Sequence, residues 1–221
     1  MEKFVPRFQG RTWPSGTAVL HIYGLPQPGV DDKLLSLARS CVPLMKEYPI
    51  DPQLSGTGDD AGLLHWTVEM LADAPAANYD QEALRQLVDA LTTALASIKP
   101  FTTEVGPPLA NASGAVLDMW PEEEAEAVRK ATRTAILKAR GEAALQHPGG
   151  RLHISLGYAD GTGSSDRFNS LLRNEVVPRR APLFVDRVHL IAVTWTEDEA
   201  SGGWRMSWDS VAEIPLGGLP L

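Results

Sequence analysis

Cys41 is the only cysteine in the 221-residue chain, which excludes an internal disulfide and any zinc site built from cysteines. Long apolar runs are also missing. No stretch reaches the length of a membrane span, and residues 1–16, broken by Pro6, Arg7, Arg11 and Pro14, lack the apolar run of a signal peptide. Positive charge is scarce: 20 Lys+Arg face 28 Asp+Glu, giving a net charge of −8 and a pI near 5.1. A surface of that sign does not suit duplex DNA, so any nucleic-acid contact must be local. No Gly-x-Ser-x-Gly elbow offers a nucleophilic serine, and no His-x-His pair or close His/Glu set offers a metal site. A cytoplasmic protein without membrane, duplex-DNA or metal partners is the expectation, and a monomer.

The composition is otherwise ordinary for a globular chain, with 43% hydrophobic and 22% charged residues. Residues 17–25 read as a strand with Val19, His21 and Tyr23 on one face and Leu20 and Ile22 on the other. Asp31 and Asp32 can cap a helix carrying Leu34, Leu35, Ala38, Cys41, Val42 and Met45, which Pro43 should kink or shorten. Asp80 opens a clear amphipathic helix that Lys99-Pro100 stops. Two strands, 101–105 and 115–119, are expected on either side of Pro107-Pro108 and a turn at 111–114. A helix follows from Pro121 and its three glutamates, and another from Ser164 or Ser165 to Pro178. Residues 183–196 and 204–214 complete the chain as a long strand pair.

Two further strands, expected at 63–71 and 151–158, carry the chemistry. Each holds a histidine followed two positions later by a hydroxyl residue: His65-Trp66-Thr67-Val68 and His153-Ile154-Ser155-Leu156. Side chains alternate along a strand, so His65 and Thr67 share one face and His153 and Ser155 another. The same alternation puts Glu69 beside His65 and turns Met70 and Tyr158 to the apolar backs. Glycine-rich loops, 55–62 and 148–150, precede both strands. His21, His147 and His189 lack the pattern; His21 reads as a half-buried satisfied residue and His189 as core.

Paired His-x-Thr/Ser strands in such a frame resemble the two-histidine (2H) phosphoesterase superfamily, and within it the 2′-5′ RNA ligase-like and cyclic nucleotide phosphodiesterase proteins. The resemblance implies an α+β, bilobal, pseudo-two-fold duplicated frame: two antiparallel-rich sheets with outer helices and an active cleft between them. Residues 1–221 would form one bilobal domain with one motif per lobe. It implies a metal-independent, cofactor-free phosphodiesterase with the catalytic set His65, Thr67, His153 and Ser155. The imidazoles would act as acid and base, and the hydroxyls would bond the non-bridging phosphate oxygens. The substrate would be a small nucleotide or an RNA terminus. Many relatives carry a cation shortly after a motif's hydroxyl residue; here Gly157 and Tyr158 stand there. Arg151 is the local replacement, and Tyr158, Tyr23 and Trp195 complete the candidate substrate-binding set. Arg179-Arg180, the most basic spot, is a candidate for tracking an RNA backbone. The alternative is a catalytically idle nucleotide- or RNA-binding module on the same frame.

Overall fold

The computed structural model describes residues 1–58, 60–146 and 150–218. His147, Pro148 and Gly149 fall outside the described residues, and with them most of the second glycine-rich approach; Asp59 of the first falls outside as well. The elements run β1 (Arg7–Phe8), β2 (Arg11–Thr12), β3 (Ala18–Gly24), α1 (Asp32–Met45), β4 (Ile50–Pro52), β5 (Trp66–Met70) and α2 (Gln81–Leu95). They continue with β6 (Phe101–Ala110), β7 (Gly114–Trp120), α3 (Glu123–Arg140), β8 (His153–Ala159) and α4 (Ser165–Glu175). The chain then closes with β9 (Ala181–Val185), β10 (Arg187–Glu197) and β11 (Trp204–Pro215).

The fold is α+β and antiparallel, as expected. The two anticipated sheets are joined edge to edge into one nine-stranded sheet, ordered β11-β10-β3-β5-β8-β7-β6-β9, with β4 added against β8. The join is narrow: Trp66 faces Ile154, and Ser155 N–H donates to the carbonyl of His65 at 3.0 Å. Four strands lie on either side of it, β5, β3, β10 and β11 against β8, β7, β6 and β9. The motif strands are therefore the two central neighbours.

Sequence halves and lobes do not coincide. The long strand expected at 183–196 divides at Asp186: β9 pairs with β6 at one end of the sheet, and β10 pairs with β3 and β11 at the other. Only Asp186 separates them, so the sheet must curl back on itself to bring its ends together. The helices are exchanged too, since α3 packs against β5 while α1 packs against β8 and β9. One large apolar core fills the space between the outer face of the sheet and these helices; Leu34, Leu87, Val128 and Phe168 lie wholly within it.

Local chemistry explains most element ends. Asp80 and Ser164 accept from the N–H groups of Ala83 and Arg167, satisfying donors that the first turns of α2 and α4 leave free. Pro43 lies in the last turn of α1, which ends at Met45. Asp31 does not cap α1. Its buried carboxylate accepts instead from the backbone of Gln27 and Phe184, both at 2.8 Å, which ties the loop before α1 to β9. The prolines at 107–108 do not break the strand either. β6 continues through them with a register shift between Val105 and Pro108.

Both motif strands bulge directly after the hydroxyl residue. On β5, Thr67 faces Tyr23 but Glu69 faces Ile22, leaving Val68 extra. On β8, Ser155 faces Val116 but Gly157 faces Ala115, leaving Leu156 extra. Each bulge inverts the alternation that follows it. Met70 and Tyr158 therefore turn to the inner face, and Glu69 pairs with Arg133 of α3. This corrects the strict alternation on both strands.

Gly157 is held at the second bulge by close packing. A Cβ there would lie 2.7 Å from Ile50 Cγ2 and 2.9 Å from the carbonyl oxygen of Asp51. Gly157→Ala should therefore cost about 1–3 kcal/mol in denaturant unfolding. An unchanged midpoint would show that β4 yields freely.

Candidate active site

The inner face of the sheet carries a second, aromatic-rich cluster containing Phe8, Trp13, Tyr23, Trp195 and Trp204. A cavity of about 660 Å³ opens against it. Its walls include Thr67 from β5, His153, Ser155 and Tyr158 from β8, Tyr23 from β3 and Trp195 from β10. Arg151, just before β8, also lines it. Seven of the eight site residues expected from sequence thus meet on one surface. His65, the eighth, lies behind that surface and is 1% exposed.

Each motif imidazole is fixed by its own backbone. His65 Nδ1 lies 2.8 Å from the carbonyl of Leu63, and His153 Nδ1 lies 2.7 Å from the carbonyl of Arg151. A carbonyl only accepts, so Nδ1 carries the proton in both rings and Nε2 is the atom left for chemistry. His21 makes the same contact with Val19 at 3.1 Å, so the clamp follows from strand geometry and does not by itself mark a reactive histidine. Hydroxyl and phenol are paired in both halves. Thr67 is hydrogen-bonded to Tyr23, and Ser155 lies 3.2 Å from the Tyr158 hydroxyl.

The two histidines differ in environment. Tyr23 stacks on His65 with ring centroids 4.3 Å apart, Trp208 meets it edge-on at 5.7 Å, and the Tyr158 hydroxyl lies 3.3 Å from its Nε2. Burial penalises the imidazolium and lowers the His65 pKa to about 4, against the opposing pull of the Leu63 carbonyl and with a small push from His153. At neutral pH His65 is therefore neutral, and Nε2 accepts from the Tyr158 phenol. One phenolic proton cannot serve both neighbours, so the Ser155 hydroxyl donates to the phenol oxygen. Burial also pushes the Tyr158 hydroxyl up to about 12 and keeps it protonated. His153 is more open than His65, on the cavity wall.

The charges around the cavity are mostly paired. Arg151 reaches Asp118 at 3.2 Å and Glu122 at 3.6 Å, and Arg129 bonds Glu126 and the carbonyl of Gly150. Glu69 lines the cavity as expected, but its carboxylate is buried and paired with Arg133. Arg179 and Arg180 do not line the cavity: Arg179 bonds the carbonyl of Arg173, and Arg180 pairs with Glu104. His189 is only partly buried, short of the core position expected. Among the described residues, no three His, Cys, Asp or Glu side chains converge as a metal site. Sequence reading missed Trp208 and the N-terminal residues Phe4 and Trp13; the aromatic residues of that proline-broken segment were the available signal.

No protein-family model and no curated protein sequence matches the chain. Solved structures do match its fold. TT0787 of Thermus thermophilus superposes with a TM-score of 0.59 at 14% identity, covering 90% of this chain and 98% of that one. E. coli LigT complexed with 3′-AMP gives 0.58 at 14%, with the same coverage. A structure described as a phosphoesterase gives 0.56 at 13%, again over 90% and 98%. The chain shares the LigT-like fold, as its motif strands led us to expect.

The depressed His65 pKa makes a stability prediction. The folded state binds fewer protons at this ring than the unfolded chain between its ordinary value of 6.5 and about 4, so stability falls as pH drops through that window. The loss should reach about 3 kcal/mol below it. Denaturant unfolding of wild type and His65→Gln at pH 7 and pH 4 measures the difference. Equal acid losses in the two proteins would contradict it.

Proposed function

We propose that the protein is a metal-independent phosphodiesterase of the two-histidine type, opening 2′,3′-cyclic or related cyclic nucleotide phosphates or acting on 2′-5′ RNA linkages. The observation that carries this reading is the doubled arrangement on neighbouring central strands. Each has an imidazole clamped at Nδ1 with a hydroxyl two residues on, and Thr67, Ser155 and His153 look into one cavity. The shared LigT-like fold supports it, and 3′-AMP bound to E. coli LigT makes a nucleotide the first substrate to test.

In this reading the neutral, buried His65 is the base. A water takes the place of the Tyr158 hydroxyl at Nε2, gives its proton to the ring, and bonds to phosphorus. The bond from phosphorus to one ribose oxygen breaks, and protonated His153 delivers a proton to that oxygen. Thr67 and Ser155 donate to the non-bridging oxygens as charge builds on them. Tyr23, Tyr158 and Trp195 wall the space for the nucleoside, and Arg151 stands beside His153. A second reading, an idle binding module, draws on one observation: the Tyr158 hydroxyl occupies His65 Nε2 in the resting site.

A panel of the four 2′,3′-cyclic nucleotides and a 2′-5′ dinucleotide tests this, with and without chelator. Wild type should turn over at least one substrate regardless of chelator, and His65→Ala or His153→Ala should lose about 10²–10⁴-fold. No turnover across the panel would favour the idle module. Because His65 must be unprotonated to act as base, kcat/KM should fall on the acid side only near pH 4. An acid limb near 6.5 would take the base role from His65.

A further inference from the structure

The motif strands leave this site short of positive charge. Beyond the bulges, the inward positions are held by Met70 and Tyr158, neither of which is a cation. Three arginines line the cavity: Arg7, Arg129 and Arg151. Arg129 is held by Glu126 and the Gly150 carbonyl, and Arg151 by Asp118 and Glu122. Arg7 is the cavity-lining arginine with no carboxylate partner among the described residues. Its one hydrogen bond there is a long one, 3.5 Å, to the carbonyl of Gly10.

Arg7 belongs to an N-terminal strap that runs along the cavity between the two halves of the sheet. At one end Phe4 N–H donates to the carbonyl of Ala159, at the end of β8, at 2.7 Å. At the other, the Gln9 amide donates to the carbonyls of Ala72 and Asp73, just beyond β5, at 2.9 and 3.1 Å. Phe8 and Trp13 are buried in the aromatic cluster, and Phe4 packs against Tyr158 at 4.5 Å between ring centroids. The backbone carrying Arg7 is thus fastened on both sides of the cavity, with its guanidinium exposed.

We infer that Arg7 is the phosphate-binding cation of this site, supplied by the N-terminal strap because neither motif strand supplies one. The inference rests on the phosphodiesterase reading above. A guanidinium suits the task because its paired N–H groups match two phosphate oxygens and it stays charged throughout the working pH range. Arg7 acts on binding and needs no proton transfer, so its loss should fall on KM.

Arg7→Gln, Arg7→Lys and Arg11→Gln test this. Arg11 lies on β2 in the same hairpin, is exposed, and does not line the cavity. Binding of 3′-AMP is read by calorimetry, turnover on a 2′,3′-cyclic nucleotide, and folding by thermal melting. Arg7→Gln should weaken 3′-AMP and raise KM by about tenfold or more with kcat little changed. Arg7→Lys should recover part of the loss, and Arg11→Gln should match wild type. If Arg7→Gln binds 3′-AMP like wild type while wild type turns over substrate, Arg7 loses this role and the phosphodiesterase reading stands. If wild type binds 3′-AMP, Arg7→Gln weakens it and neither turns over any substrate, the anion-binding role stands and the phosphodiesterase reading falls. Failure of wild type to bind 3′-AMP overturns the inference.

Discussion

The site depends on a pair of backbone irregularities. An extra residue at Val68 and another at Leu156 reverse the faces of β5 and β8 just past Thr67 and Ser155. Without the second, strict alternation would put Tyr158 on the face under the helices. With it the phenol arrives at His65, while the Glu69 carboxylate on the other strand is neutralised by Arg133. A β-bulge re-aims side chains without changing which strands pair, so one inserted residue reassigns every later position on its strand. That the same device follows both hydroxyl residues makes it the strongest sign of duplication in the molecule.

Symmetry of backbone does not give symmetry of chemistry. His65 is enclosed by Tyr23, Trp208 and Tyr158, and desolvation strips it of its proton well below neutrality. His153 stands on the wall of the cavity. Equivalent clamps at Nδ1 therefore hold one ring in a dry, aromatic surround and the other at a wetter boundary. The proposed division of labour between base and acid rests on that difference in surroundings.

Much of this was legible beforehand. Helix starts at Asp80 and Ser164, the faces of β3 and the gathering of His153, Thr67, Ser155 and Tyr23 follow from alternation, capping and motif spacing. Bulges escaped because period-two patterning has no term for an inserted residue, and Val68 and Leu156 are as apolar as any strand residue. The split at Asp186 escaped for a different reason. β9 and β10 are both apolar strands, and only long-range pairing with β6 and β3 separates them. Carboxylate partners also decide which arginines are available, and Arg151 and Arg7 look alike until Asp118 and Glu122 are placed beside the first.

The interleaved strand order also bears on how the molecule is assembled as it leaves the ribosome. β6, β7, β8 and β9 are an unbroken run of chain, so the half of the sheet holding His153 has all its strands once residue 185 has emerged. β3 and β5 emerge far earlier but must wait for β10 before the outer edge of β3 is paired. Trp195 and Trp208, which complete the aromatic surround on the His65 side, lie on β10 and β11 and emerge after every other strand of the sheet. The nascent chain thus carries an unpaired strand edge and an incomplete pocket until the β10–β11 hairpin docks, an interval in which it depends on protection from aggregation.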